Sequence, residues 1–401
     1  MPRIVIVGAG HAGGTAAALL RHFGHRGDIT LVGTEPIVPY QRPPLSKAYL
    51  KGEAAAESLK LRPDSFYEGA GVAMRLAASA AALRRDDKTV LLEDGTALPY
   101  DVLILATGCR PRRLALAGAD PASVHELRSL ADADRLRAAI APGARLAIIG
   151  GGYIGLEVAA SARALGAEAT VIEREDRILA RVASEPLSRF FHEVHQARGV
   201  KILTGARIDE ARDGALRLAD GPAIPYDAIL VGIGAEPCDE LARAAGLACD
   251  KGIVVDGDAR TSDPAIFAIG DVTWRPMPLY GNRMFRLESV PNALEQAKQA
   301  VSAILGRPAP APEVPWFWSD QYDLKLQIAG VPFDSDRLVL RGSTDAAKFA
   351  LFHLQGDRVT AVEAINSPPE FMVGKALIAQ GKTVEAEKLQ DLAIPMKEIA
   401  A

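Results

Sequence analysis

The sequence predicts an α/β protein built on two copies of one strand–turn–helix unit and closed by a smaller α+β module. Residues 3–20 read RIVIVGAGHAGGTAAALL and residues 145–160 read RLAIIGGGYIGLEVAA, so an apolar run enters G-x-G-x-x-G and then an alanine-rich helix twice over. Near residue 313 the chain changes character. It passes through GRPAPAPEVP at 306–315, a linker composition, into short alternating segments.

The chain has 401 residues, 49% hydrophobic and 24% charged, which is enough for two or three globular domains. A formal net charge of -4 supplies no general field for nucleic acid or an anionic membrane, so an anionic partner has to be met by a local patch. The three cysteines, Cys109, Cys238 and Cys249, form no CxxC or CxxxxC pattern. That fits a reducing compartment and gives this chain no iron–sulfur or other metal cage of its own. The start MPRIVIVGAG enters a strand without a basic, apolar leader, and no apolar run long enough to span a membrane follows. The expectation is a cytoplasmic protein without nucleic-acid or membrane partners, monomeric or weakly dimeric.

In each repeated unit the first glycine (Gly8, Gly150) permits a tight turn, and the second (Gly10, Gly152) lets backbone approach a pyrophosphate. The third (Gly13, Gly155) lets the helix pack on the strand. A second strand follows each at about 20 residues, DITLVGTE ending at Glu35 and EATVIE ending at Glu173, and a carboxylate there accepts from a ribose. Two dinucleotide sites in one chain imply a flavin and a nicotinamide, since hydride passes between those two. Glu173 would accept from a ribose 2′-hydroxyl and repel a 2′-phosphate, which favours NADH; Arg174 and Arg177 keep a phosphate-bearing cofactor open. YDVLILATG at 100–108 closes a strand on Ala106, Thr107 and Gly108, and YDAILVGIGAEP at 226–237 is its sister. TSDPAIFAIGDV at 261–272 delivers Gly270 and Asp271 at a strand end, placed either for a polyhydroxyl chain such as ribitol or for a plain turn.

The set GxGxxG, PPLSK, ATG, GGGxxGxE and AIGDV resembles the two-dinucleotide flavoprotein reductases of glutathione-reductase-like fold. ESVPNALEQAK at 288–298 and PWFWSDQYDLKLQIAG at 315–330 are most similar to the oxygenase-coupled, FAD-dependent NAD(P)H:ferredoxin reductases. The resemblance implies a discontinuous FAD-binding domain at 1–110 and 240–312, a NAD-binding domain at 111–239 and a C-terminal α+β domain at 313–401. In that last domain, strands are expected to pair across the turn at 355–358, ahead of a helix over 369–380.

The segment YQRPPLSKAYL at 40–50 sets basic side chains beside two prolines, which fix φ and are expected to hold extended chain that releases into a helix capped near Ser46. By resemblance, Lys47 lies against the flavin and pairs with Glu157, the acid ending GGGxxGxE; the plain alternative is a surface salt bridge. The same resemblance assigns Ala12, Ala80, Arg128, Gly270, Asp271 and Val290 to FAD, with Val290 at the flavin C2 carbonyl. It also puts Arg42 at a pyrophosphate or ring edge, and places the ribose acid on Thr34, with Glu35 beside it as the expected substitute. Tyr153 and Ile154 lie in the second loop and are expected at the nicotinamide dinucleotide.

Relatives that work through a protein thiol carry cysteine near the first helix or the proline segment, and this chain has none before residue 107. Electrons are therefore expected to leave FAD directly. The resemblance points to a [2Fe–2S] ferredoxin docking near Lys298, Trp318 and Lys325, with Trp318 beside the flavin; Trp316 and Phe317 read equally well as core, and Lys298 as an exposed helical lysine. Alternative readings are a rubredoxin reductase, an NADH-oxidase-like flavoprotein, or a redox-sensing protein similar to apoptosis-inducing factor.

Overall fold

The computed structural model describes residues 1–399. By backbone proximity the chain forms two compact units, the first from residues 1–41, 59–110 and 237–317, the second from 42–58, 111–236 and 318 onward.

In the first unit five parallel strands run in the order Ile266–Ala268, Val102–Leu105, Ile4–Val7, Ile29–Val32 and Val72–Arg75. Such strands are covered on both faces, which is why IVIV and VLIL carry no polar residue. One face takes the helices His11–His22 and Val290–Ile304, whose Ala12, Ala16 and Ala17 meet Ala293, Ala297 and Ala300 in one core; small side chains let helices approach closely. The other face packs against the three-stranded antiparallel sheet Ala80–Arg84, Thr89–Leu92 and Ala97–Pro99.

The second unit repeats the plan with Lys201–Leu203, Glu168–Ile172, Arg145–Ile149, Ala228–Val231 and Val124–His125, all parallel. It also holds most of an antiparallel sheet in the order Trp316–Gln321, Leu324–Gly330, Arg358–Ile365, Lys348–Gln355 and Arg337–Ser343. The expected hairpin is present, Gln355 pairing with Arg358 around Gly356 at φ +57°, and the following helix spans Pro368–Gln380.

Two details depart from the sequence reading. Pro43 and Pro44 do not hold extended chain: they open a 3₁₀ helix, Pro43–Ser46, with Arg42 in helical conformation at its cap. At the first turn of a helix a proline's fixed φ is already correct and its missing N–H is not needed, so the pair starts a turn instead of preceding one. Residues 42–58, numbered with the first module, cluster with the second unit. Leu50 is fully buried in the core that also holds Leu136, Leu156 and Val158, and the Ser161 hydroxyl donates to the Ser46 carbonyl at 2.7 Å.

That core is shared. Leu324, Leu326, Phe349 and Leu351 from the C-terminal sheet pack with Leu187 and Phe191 of the helix Glu185–Ala197, and the Phe190 and Phe349 rings meet edge to face at 5.0 Å. His195, on the same helix, is wholly buried, and this burial pushes its imidazole down from 6.5 to about 4. Above pH 6.5 the ring is neutral whether the chain is folded or not. Between pH 6.5 and about 4 only the unfolded chain takes up the proton, so stability falls with acidification across that window, by on the order of 3 kcal/mol. Urea unfolding at pH 7 and pH 4.5 checks this: His195→Gln is expected to lose much less stability between the two than the parent, and an equal loss would remove His195 as the cause.

Candidate functional site

The two glycine loops have the same construction. Gly8 and Gly150 have φ of +116° and +108°, and a Cβ added at either would stand 2.1 Å from the Ala106 carbonyl oxygen or 2.4 Å from that of Gly232. A Cβ at the third glycine would fall 1.9 Å (Gly13) or 2.3 Å (Gly155) from the carbonyl oxygen of the first glycine in its own loop. The protein's own packing demands glycine at these four positions. At the middle positions, Gly10 and Gly152, a Cβ would meet nothing within 4 Å. Glycine there answers to something outside the chain, which is what a pyrophosphate approaching the N-terminus of each helix requires.

Around the first loop, Ala12 lies in the first turn of the helix His11–His22, not in the loop itself, and a Cβ on Gly270 would come 3.1 Å from its Cβ. Asp271 is half-buried and accepts from the Cys109 thiol at 3.4 Å. The Thr107 hydroxyl donates to the Cys238 carbonyl at 2.7 Å, between buried Ala106 and Gly108 at φ +69°. Glu35 accepts from the Tyr40 hydroxyl at 2.6 Å, whereas neighbouring Thr34 is exposed. Ala80 begins its strand half-buried, opposite Leu92. Pro291 has no N–H, and the Ser289 hydroxyl takes that of Asn292 at 3.2 Å, so Val290 holds the donor this turn leaves over. Gln296 accepts through Oε1 from Gly270 N–H (2.8 Å) and the Thr273 hydroxyl (2.9 Å), while its buried Nε2 has no acceptor among the described residues. Open space beside Gly10, a surplus donor at Val290 and an orphaned donor at Gln296 fit a large, oxygen-rich ligand.

In the second unit Glu173 turns back to its own loop. Oε2 accepts from Gly151 N–H at 2.7 Å and Oε1 from Glu175 N–H at 2.9 Å, bonds that orient the carboxylate while leaving lone pairs on both oxygens. Arg174 is paired with Glu175 at 2.8 Å, and Arg177 donates to the carbonyls of Ala180 and Ala183. Tyr153 opens the helix half-buried, its phenol pushed well up by burial and by nearby Glu363, and Ile154 beside it is 47% exposed.

Glu157 is 2% exposed. It lies one turn into the helix Tyr153–Ala164 and accepts three side-chain bonds: Lys47 Nζ at 2.6 Å and Ser46 Oγ at 2.5 Å on Oε2, and Ser319 Oγ at 2.6 Å on Oε1. Lys47 Nζ also donates to the Pro43 carbonyl at 3.1 Å, and its side chain is 17% exposed. A lysine held this way carries a fixed charge beside the helix that the second glycine loop opens. The sequence expectation paired Lys47 with Glu157 but read Ser46 only as a cap and passed over Ser319. The available signal was alternation, since along Trp316–Gln321 the residue after half-buried Trp318 faces the opposite way.

Arg42 Nη1 donates to the Arg128 carbonyl at 2.5 Å, and Arg128 N–H caps back to Asp132 at 3.1 Å. Lys298 is paired with Glu313 at 2.9 Å, both side chains exposed, and Lys325 is exposed on its strand. None of the His, Cys, Asp and Glu side chains among the described residues gather into a metal-holding group.

Residues 2–297 match the family described as pyridine nucleotide-disulphide oxidoreductase, and residues 316–400 match the reductase C-terminal family. The probable ferredoxin reductase CtmF of Castellaniella defragrans is 56% identical over 404 residues, covering 100% of this chain and 98% of that protein. Putidaredoxin reductase CamA of Pseudomonas putida is 43% identical over 408 residues, covering 99% and 96%. The crystal structure of a covalent putidaredoxin reductase–putidaredoxin complex superposes with a TM-score of 0.96 at 42% identity, covering 99% of this chain and 98% of that one.

Proposed function

The chain belongs to the pyridine nucleotide-disulphide oxidoreductase family, with a reductase C-terminal domain, and from that premise we propose that it is an FAD-dependent NADH:ferredoxin reductase. It passes electrons to a [2Fe–2S] ferredoxin that feeds a monooxygenase or dioxygenase. The observation that carries the reading is the pair of loops whose middle glycines face open space, set in a chain with no cysteine pair to hold electrons.

FAD supplies the chemistry of taking hydride from NADH and releasing the two electrons singly. This chain's residues bind and orient. We assign FAD to Gly8, Gly10, Ala12, Gly13, Glu35, Thr107, Gly270, Asp271 and the Val290 N–H, with Thr34, Arg42, Ala80, Ala106, Gly108 and Arg128 at its margins. The NADH-binding set is Gly150, Gly152, Tyr153, Ile154, Gly155 and Glu173. Glu173, with its carboxylate oriented by two backbone donors, accepts from the ribose and disfavours a 2′-phosphate. To the catalytic set we assign Lys47, whose positive charge is held in place by Glu157, and Trp318. The functional divisions are an FAD module (1–110 and 240–312), an NADH module (111–239) and a C-terminal α+β module (313–401). Lys298, Lys325 and Trp318 form the proposed docking contacts for an acidic ferredoxin. No helix among the described residues is long and apolar enough to cross a membrane, and we place the protein in the cytoplasm.

The test is anaerobic reduction of the purified yellow protein by NADH, followed by cytochrome c reduction with and without a [2Fe–2S] ferredoxin. Rapid bleaching, and cytochrome c reduction only when ferredoxin is present, is the expected result. Ready reduction of rubredoxin or oxygen instead would mark a rubredoxin reductase or an oxidase. Slow turnover with every carrier and dimerisation on reduction would mark a redox sensor.

A further inference from the structure

We propose that His195 is a positioning residue for Glu157, acting through Gln321 and Ser319; the inference rests on the reductase reading, in which Glu157 holds Lys47. Four hydrogen bonds link these groups: Tyr322 hydroxyl to His195 Nδ1 at 3.1 Å, His195 Nε2 to Gln321 Oε1 at 2.8 Å, Gln321 Nε2 to Ser319 Oγ at 3.1 Å, and Ser319 Oγ to Glu157 Oε1 at 2.6 Å.

Their direction is imposed from the carboxylate end. An ionised Glu157 can only accept, so the one hydroxyl proton of Ser319 goes to it. Ser319 Oγ must then accept from Gln321, which turns the Gln321 amide nitrogen toward the serine and its oxygen toward His195. His195 must therefore carry its proton on Nε2, and its bare Nδ1 takes the Tyr322 hydroxyl. Every donor points toward Glu157, and no single link can reverse without breaking the next.

Glu157, Ser319, Gln321 and His195 are 2%, 0%, 1% and 0% exposed, so solvent cannot substitute for a missing member. Burial keeps the imidazole neutral, at about 4, and keeps the Tyr322 phenol protonated, at about 12, so both rings stay in the required form across working pH. The Tyr322 ring, 5.1 Å from that of His195 and beneath the Arg198 guanidinium at 4.6 Å, fixes the outer end. The helix Glu185–Ala197 is thereby tied to the carboxylate one turn into the helix that follows the second glycine loop.

The experiment compares the holoenzyme with His195→Gln, His195→Phe, Ser319→Ala and the His195→Phe/Ser319→Ala double variant. Its readouts are the anaerobic rate of flavin reduction at saturating NADH, the NADH dissociation constant, and the ¹⁵N shifts of the His195 ring. Gln keeps one donor and one acceptor and is expected within about twofold of the parent, whereas Phe is expected to slow reduction about fivefold without changing NADH affinity. In the Ser319→Ala background the His195→Phe change is expected to add nothing, because the chain is already cut. The ¹⁵N shifts should show a neutral ring protonated at Nε2. Independent, multiplying effects of the two substitutions, or a ring protonated at Nδ1, would overturn the proposal. Should His195→Phe not fold, Gln321→Met breaks the same chain one link nearer. If the parent itself is not reduced by NADH, the reductase reading fails, while the ring tautomer still tests the chain of bonds.

Discussion

Replacing Glu157 with alanine is expected to slow anaerobic reduction of the flavin by NADH about a hundredfold and to destabilise the protein by about 3–5 kcal/mol. The physical reason is the count of donors left behind. Lys47 Nζ, Ser46 Oγ and Ser319 Oγ all converge on this one carboxylate, and removing it takes the acceptor from two buried hydroxyls and the counter-charge from a half-buried ammonium that keeps its bond to the Pro43 carbonyl. Glutamine separates the two effects. Its oxygen can still accept from the donors on one side, so stability suffers less, but its amide nitrogen either meets the Lys47 ammonium as donor against donor or makes Ser319 turn from donor to acceptor, and in both cases the lysine loses its counter-charge. Glu157→Gln is therefore expected to fold near normally and still be slow. Stopped-flow reduction together with urea unfolding reads both quantities, and parental rates in the two variants would remove the pair from the reaction.

Substitution within the glycine loops is expected to separate folding from ligand binding. Gly8→Ala forces a Cβ to 2.1 Å from a backbone oxygen at φ +116°, a cost of about 3 kcal/mol or more to the fold. At Gly10 an added Cβ has no protein atom within 4 Å, so flavin-free Gly10→Val should melt as the parent's flavin-free form does, yet purify colourless because the isopropyl group occupies the pyrophosphate's approach. Gly152→Val should be the converse: fully yellow, and hardly reduced by NADH. The comparison uses flavin-free samples because bound ligand itself adds stability. Stoichiometric flavin in Gly10→Val would show that the first loop does not carry the pyrophosphate.

What the sequence made legible divides along range. The glycine loops and their following strands are local patterns with a fixed relation between residue and geometry, so both parallel sheets could be anticipated from about thirty residues each. The hairpin at 355–358 was legible for the same reason. Lys47 and Glu157 are 110 positions apart, and nothing in either segment announces the other; only resemblance paired them. Ser319 belongs to a third segment still more distant, and alternation along its strand gives the face it lies on but not the buried acceptor that waits there. The proline pair was misjudged because two prolines suit extended chain and the first turn of a helix equally, and packing on the Leu136 and Leu156 core decides between them. His195 was invisible in the sequence, as a lone histidine on an apolar helix face reads like any other.

The core formed jointly by the C-terminal sheet and the helix Glu185–Ala197 constrains how this protein could be recombined. Phe349, Leu351 and Leu326 complete an interior to which Leu187, Phe190 and Phe191 contribute the other side. A chimera that takes its electron-acceptor preference from another reductase by exchanging residues from 318 onward would cut through that interior. It would also cut the bonds from Ser319 to Glu157 and from Gln321 to His195. The transplantable piece is therefore larger than the C-terminal module, and grafts that keep the recipient's 185–197 helix should fail at folding before their partner choice can be assayed.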